Sequence, residues 1–308
     1  MRNLTWLPAL FLLAGLAASA EAAGGLNLFL NSPRAVYAEE EEVRLDLMIE
    51  AEADRSVSFQ YLQPKEDGFL FVGGEWRLEV RVNGVTVPEF TNHMPPEPKA
   101  GTLQLNLSPG ASFSARIPFY YYYYPFELPA DFEVRLHYDG SVSNPVRFQV
   151  RRTEGRPVAG GWLINGDFRS GRDFPLGWRL TGDRVRWEKE PPALRLTLDR
   201  ATAEGPGLWV YSTFQELKAP AEFTLKVRAR SQGQEIIVFV EGWGLVAGRR
   251  RLLERNECFM HPAGTESADY RTAAVFRNPQ VRWLRVKVYT YLKVGDIRFE
   301  SVDLVPKE

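Results

Sequence analysis

Trp162-Leu163-Ile164-Asn165-Gly166-Asp167-Phe168 runs on to Pro175-Leu176-Gly177-Trp178 and opens the second half of a 308-residue chain. Near the C-terminus stands a counterpart, Gly295-Asp296-Ile297-Arg298-Phe299-Glu300-Ser301-Val302-Asp303-Leu304. The two read as the first and last strands of one β-sandwich, pairing like a latch over 162–306. Between them the chain is nearly all strand. Leu194, Leu196 and Leu198 alternate with polar residues, as do Phe223, Leu225, Val227 and Ala229. Such a period of two buries one face and wets the other. Residues 236–240 are continuously apolar, which predicts a strand covered on both faces.

Residues 26–151 carry the same signal. Val43, Leu45, Leu47 and Ile49 alternate with polar positions, and six further runs follow: 57–61, 78–82, 103–107, 113–119, 132–138 and 146–150. Turn pairs separate them, among them Asn83-Gly84, Pro109-Gly110 and Asp139-Gly140. Seven such runs predict an antiparallel sandwich of immunoglobulin-like type. Residues 152–161 mix charge, Pro and Gly and read as a short linker. The fold class expected is all-β: an Ig-like sandwich over 26–151, then a jelly roll over 162–306.

The N-terminus reads as a signal peptide over 1–20. Arg2 is its one charge, residues 7–18 are apolar, and Ala18-Ser19-Ala20 offers small residues to a peptidase. An uncleaved anchor is the alternative reading, although no basic flank follows the apolar run. No later stretch is apolar enough to span a membrane. The net charge of −1 makes no electrostatic case for nucleic acid. Cys258 is the single cysteine, so no disulfide within the chain is possible. That favours a bacterial envelope, periplasmic or secreted setting over a disulfide-stapled eukaryotic one.

The functional signal lies opposite the apolar rows. Leu284, Val286 and Val288 point one way; Trp283, Arg285, Lys287, Tyr289 and Tyr291 point the other. A face with Arg and Lys is expected to be wet, because an unpaired buried charge is too costly. Trp209 and Tyr211 oppose Leu208 and Val210, and Glu241 and Trp243 share the face of Phe239. Flat aromatics beside charged groups suit a sugar, whose C–H faces stack on rings while its hydroxyls bond polar side chains. The candidate carbohydrate-binding residues are therefore Trp209, Tyr211, Glu241, Trp243, Trp283, Arg285, Tyr289 and Tyr291.

Asn165-Gly166-Asp167-Phe168, Gly177-Trp178 and the closing 295–304 segment resemble jelly-roll carbohydrate-binding modules of the family 4/9/22 kind, and galactose-binding-like domains generally. Asp269-Tyr270-Arg271-Thr272 before residues 281–286 also matches their penultimate strands. The resemblance covers about half the chain and implies a glycan partner. It also implies a structural calcium between the first and last strands, with Asn165, Asp167 and Glu300 as candidate ligands. The chain departs from the pattern at Arg169, where an acidic residue often stands, and at Ser301, where one of a pair of aspartates is usual. The first half resembles bacterial Ig-like domains of the BsuPI proteinase-inhibitor type. The resemblance rests on Tyr37 with the acidic turn before Val43, on Leu107-Ser108-Pro109-Gly110, and on Ser143-Asn144-Pro145-Val146.

Other features read as ordinary structure. Residues 39–42 are expected to be a solvated acidic turn, and Tyr120 to Tyr124 part core and part rim of a strand. Residues 94–98 read as a stiff loop and Arg249-Arg250-Arg251 as a solvated hairpin tip. His93, His137 and His261 are scattered. Cys258 has no paired histidine in view. No metalloprotease helix, nucleophile elbow or phosphate loop occurs, and nothing singles out a partner for Glu241 as a glycosidase carboxylate. The reading is a secreted, non-catalytic protein that binds a glycan or cell-envelope polysaccharide. The rival is an envelope adhesion or assembly protein whose sandwiches contact protein. A proteinase inhibitor stands third and a hydrolase fourth.

Overall fold

A computed structural model describes residues 25–65, 68–71, 76–92, 100–181, 184–205, 207–217, 221–261 and 265–307. Residues 1–20, read from the sequence as a signal peptide, and residues 94–98, read as a stiff loop, lie outside the described residues. The described residues are all-β, apart from one short α-helix, Arg200–Glu204, and one 3-10 turn, Tyr121–Tyr123. Among the described residues no helix is long and apolar enough to cross a membrane.

In the first half, Leu26–Asn31, Val43–Ala51 and Ser112–Phe119 form an antiparallel sheet. A second sheet runs in the order Val36–Ala38, Val146–Arg151, Ala130–Tyr138, Arg77–Val82, Val85–Thr86, with Ser141–Val142 folded back onto Ala130–Tyr138. Arg55–Lys65 pairs with Gly68–Phe71 and Ala100–Leu107 in a third. The alternating rows make the core: Leu45, Leu47 and Ile49 share one buried cluster with Phe132, Val134, Leu136, Phe148 and Val150. The turn pairs behave as their chemistry dictates. Asn83-Gly84 and Asp139-Gly140 hold positive φ at both residues, 50° and 81° in one and 45° and 77° in the other. That is the twist a two-residue hairpin needs.

The second half is a sandwich of two sheets. One runs Trp178–Leu180, Leu208–Ser212, Trp283–Thr290, Ile236–Val246, Arg249–Met260. The other runs Val185–Lys189, Pro192–Leu198, Gly295–Pro306, Glu222–Ser231, Ala268–Val275. Between them lies a separate core of Leu194, Leu196, Leu225, Val227, Val238, Val240, Val286, Val288, Ile297 and Phe299.

The latch differs from a strand pair. Gly295–Pro306 is a strand inside its sheet, but 162–168 is not a strand. Asn165 and Phe168 sit at φ of 52° and 57°, which breaks any ladder there. The contact is made by one carboxylate instead. Asp303 Oδ1 accepts the backbone N–H groups of Trp162 (3.1 Å), Leu163 (3.0 Å) and Leu304 (2.8 Å). The Val302 N–H donates to the Gly166 carbonyl at 2.8 Å. Gly161 permits this approach, since a Cβ there would lie 1.6 Å from Asp303 Oδ2. Phe168 then packs edge-on against the fully buried Trp178, 5.1 Å between centroids.

Residues 152–161 are held rather than loose. Thr153 is buried, its Oγ1 donating to Glu40 Oε2 at 2.6 Å, and Pro157 bridges to Ile164.

Replacing Asp303 with Ala orphans three backbone donors, and is expected to lower the unfolding free energy by about 1–3 kcal/mol. Asp303→Asn keeps an acceptor oxygen and is expected to cost less. Urea denaturation of both variants checks the order.

Candidate functional site

The outer face of the sheet that carries Trp283–Thr290 holds the residues of interest in a grid set by strand register. On the central strand Trp283–Thr290, Lys287 lies between Tyr211 on one side and Phe239 on the other. Tyr289 lies between Trp209 and Ile237. Arg285 lies opposite Glu241, and Trp283 opposite Trp243. One strand further out, Glu257 faces Phe239 and Arg255 faces Glu241. Seven of the eight candidates fall within this grid, and Tyr291 follows just beyond the strand.

The first half divides this face in two. The tyrosine run does not form a strand: Tyr121–Tyr123 is a single 3-10 turn, and all five tyrosines from 120 to 124 are buried. It lies on the half of the face nearest Arg285. Tyr123 packs on Trp243, with centroids 5.6 Å apart, and Phe214 meets the same indole edge-on at 5.4 Å. Trp243 belongs to the first half's core cluster, with Trp283 packed against it. Tyr211, Glu241, Trp243 and Arg285 are consequently buried, and the expectation that they form an open sugar surface is corrected.

The physical reason is that the charge is paired. Glu241 Oε2 accepts Arg285 Nε at 2.9 Å, Arg285 Nη2 at 2.7 Å and Trp243 Nε1 at 3.1 Å. The two charged side chains are 5% and 6% exposed. Rings close around the guanidinium: Tyr211 at 4.1 Å, Trp243 at 4.5 Å, Phe214 at 4.9 Å and Tyr123 at 6.0 Å. Burial alone would lower the pKa of Arg285, yet Glu241, Tyr123 and Tyr211 hold it above its ordinary value.

Three more arginines of the second half reach first-half backbone. Arg250 Nη1 donates to the carbonyls of Tyr122 (2.7 Å) and Tyr124 (3.3 Å), and its plane lies over Phe214 and Trp283. A one-turn helix leaves such carbonyls without partners of its own. Arg249 Nη2 donates to the Thr91 carbonyl at 3.1 Å. Arg179 donates to the carbonyls of Glu39 and Glu40, its Cζ 3.8 Å over Tyr122. The Arg249-Arg250 tip and the acidic turn at 39–42 are thus parts of a seam, not solvated loops. Burial pushes the Glu39 carboxyl up and the Arg250 guanidinium down to about 10.

The other half of the face remains open. Trp209, Phe239, Lys287, Tyr289 and Tyr291 are half-buried there. Tyr289 stacks on Tyr291 (5.3 Å, 25°) and lies 5.9 Å from Phe239 and 6.4 Å from Trp209. Lys287 Nζ stands 4.9 Å from the Tyr289 centroid, 5.1 Å from Trp209, 5.5 Å from Phe239 and 5.6 Å from Tyr211. Four rings around one ammonium hold it by cation–π attraction. Gly207 sets the depth of Tyr289. Its φ is +72°, and a Cβ there would lie 2.4 Å from the Thr290 carbonyl and 3.0 Å from Tyr289 Cε2. Sequence reasoning missed Gly207 and Arg255 because both depend on tertiary contacts and register.

The predicted calcium ligands already have other partners. The Asn165 amide donates to the Ser170 and Leu176 carbonyls, and its oxygen accepts from Ser170 N. Asp167 pairs with Arg169. Glu300 takes Arg228 on one oxygen and the Ser267 hydroxyl on the other. Oxygens so engaged do not fit a hard cation that needs six or more of them. Among the described residues no group of three or more His, Cys, Asp or Glu could hold a metal. His137 pairs with Glu79 at 3.0 Å. Cys258 is buried, and burial pushes its thiol up to about 11, where it rests protonated.

No protein-family model matches the sequence, and no curated protein matches it. The solved structures it is similar to include carbohydrate-binding modules. One is the tandem CBM22-1–CBM22-2 pair of Paenibacillus barcinonensis Xyn10C, at 14% identity over 93% of this chain and 92% of that one, TM-score 0.35. Another is a family 16 carbohydrate-binding module, at 15% identity over 46% of this chain and 98% of that one, TM-score 0.34. A third is TmCBM61 in complex with β-1,4-galactotriose, at 18% identity over 48% and 99%, TM-score 0.32.

Glu241→Gln leaves a buried guanidinium without its countercharge, and is expected to destabilise the chain by about 3–5 kcal/mol. Glu241→Leu combined with Arg285→Met is expected to recover most of that loss, measured by urea denaturation. Glu39 gives a second, pH-dependent expectation. Its carboxyl pKa is raised in the fold, so the folded state binds the proton more tightly than the unfolded chain. Stability is then lost as pH rises from the ordinary carboxylate range through the raised value. Glu39→Gln is expected to flatten the thermal midpoint against pH across that window.

Proposed function

We propose that this protein is an exported, non-catalytic glycan-binding protein whose binding surface is the open half of the aromatic face. The observation that carries this reading is the cluster of Trp209, Phe239, Tyr289 and Tyr291, half-buried and mutually packed around Lys287. Rings fixed by packing supply flat apolar contact at little entropic cost. Sugar C–H faces stack on them, and hydroxyls reach Lys287 and Arg255 at the rim.

Tyr211, Trp243, Glu241 and Arg285 do not touch the glycan in this reading. They hold the first half in place and support the surface from beneath. Trp283 lies between the two regions. The first sandwich acts as a fixed cover. The carboxylates of this face do not suit hydrolysis. Glu241 is committed to Arg285, and Glu257 is paired with Arg255. An acid–base pair across a cleft needs both groups available to the substrate.

The test is binding of the full chain to a panel of soluble polysaccharides (cellulose oligomers, xylan, galactan, alginate and carrageenan) by titration calorimetry. At least one is expected to bind. Trp209→Ala and Tyr289→Ala are each expected to weaken that binding by tenfold or more with the thermal midpoint little changed. Trp243→Phe, under the tyrosine turn, is expected to leave affinity as it was. A folded protein that binds none of the panel overturns the reading.

A further inference from the structure

We propose that the glycan taken by this face is an anionic one, its acidic group seated over Phe239 between Lys287 and Arg255. This deepens the glycan-binding reading and rests on it. The observation behind it is a convergence of cations. Lys287 Nζ lies 5.5 Å from the Phe239 centroid and Arg255 Cζ lies 4.7 Å from it. The two come from strands on either side of the one that carries Phe239. A ring flanked in this way presents an apolar floor with a positive charge on each side.

Two carboxylates of the same face, Glu241 and Glu257, each pair with an arginine. Glu241 is buried and bound to Arg285, so it projects little field into the open half. Glu257 pairs with Arg255, but there both side chains are 42% exposed. An exposed pair of that kind contributes little, and a ligand anion can exchange for the carboxylate with small loss. Lys287 differs from an ordinary surface lysine. Four rings hold its ammonium over the sheet, so the charge is in place before any ligand arrives.

The geometry also assigns the two parts of a sugar to different groups. A pyranose ring stacked on Tyr289, beside Tyr291, has Phe239 next to it, 5.9 Å from the Tyr289 centroid. A substituent that projects from the stacked ring toward Phe239 reaches both cations. A neutral hydroxymethyl there gains a hydrogen bond. A carboxylate or sulfate gains charge-assisted bonds, which are about twice as strong. The shared chemistry is an anionic substituent on a pyranose, and a uronate or a sulfate ester could supply it.

Two matched pairs separate these sources: alginate oligomers against the same oligomers with carboxyls reduced to alcohols, and carrageenan oligomers against their desulfated form. Titrated with the full chain, at least one charged member is expected to bind tenfold or more tightly than its neutral counterpart. That preference is expected to shrink as NaCl rises from low to half-molar. Lys287→Gln is expected to bring the charged member down to the neutral one's affinity, with Lys287→Arg retaining part of the preference. Arg255→Gln, at an exposed site that leaves the fold intact, is expected to lower the preference severalfold. Equal affinity within both pairs overturns the anionic assignment while leaving the glycan-binding reading standing. If none of the four oligomers binds and a neutral glycan of the wider panel does, the anionic assignment is overturned as well. Silence across every glycan overturns both.

Discussion

An arginine, Arg285, at 4% exposure is the constraint on which the arrangement of this molecule turns. Removing such a charge from water costs several kcal/mol, and only a partner with good geometry offsets it. Glu241 is that partner, and a single one of its oxygens accepts Arg285 twice and Trp243 once. The pair becomes dry only when the Tyr121–Tyr123 turn lies over it. Cover and charge therefore depend on each other. Without the tyrosines the pair is a solvent-exposed contact worth little. Without the pair the tyrosines would press an uncompensated cation into an apolar seam. The carbonyls that the short turn cannot satisfy go to Arg250, and those of the acidic turn go to Arg179. The junction is stitched by guanidinium-to-backbone bonds as much as by apolar packing.

Tyr211 joins this seam to the open surface. Arg285 stands 4.1 Å from its ring and Lys287 5.6 Å from it. The two cations are alternate residues of one strand and point to the same face, so they would repel through the ring if both were uncompensated. Glu241 cancels the first, and the second sits among the rings of the aromatic cage. A group buried beneath the first sandwich in this way sets the electrostatics of a surface that it never reaches.

Much of the fold was legible, because period-two alternation states directly which face is buried. The rows at 43–49, 132–138, 194–198 and 284–288 are all core, and the Asn-Gly and Asp-Gly pairs are hairpins. The latch at 162–168 was located correctly, but its mechanism was not. A buried carboxylate that accepts three N–H groups leaves no periodic trace in sequence. The site was half legible. Alternation put Trp283, Arg285, Lys287 and Tyr289 on one face, but it says nothing of what covers that face. The rule that Arg and Lys mark a wet surface failed at Arg285 because Glu241 lies directly opposite it, and cross-strand register is a tertiary fact. Five consecutive tyrosines read as a strand would split between two faces. As a 3-10 turn whose Tyr121, Tyr122 and Tyr124 carbonyls accept hydrogen bonds, all five are buried.

The split face also constrains how a chain-like ligand can lie. Along the strand direction, a ligand on Tyr289 meets Lys287 next, and beyond it Arg285 lies sealed beneath Tyr123. That direction is closed after about two residues of strand, roughly 7 Å. The other axis runs across the strands, where a row of side chains shares the face. The row runs from Trp209 to Tyr289, over the buried Ile237, to Phe259, which is 50% exposed on the outermost strand. Three strand spacings separate its ends, about 14 Å. A glycan on this surface is therefore expected to cross the strands rather than follow them. In the anionic reading proposed above, its acidic substituent points diagonally, toward Phe239 on the neighbouring strand opposite Lys287.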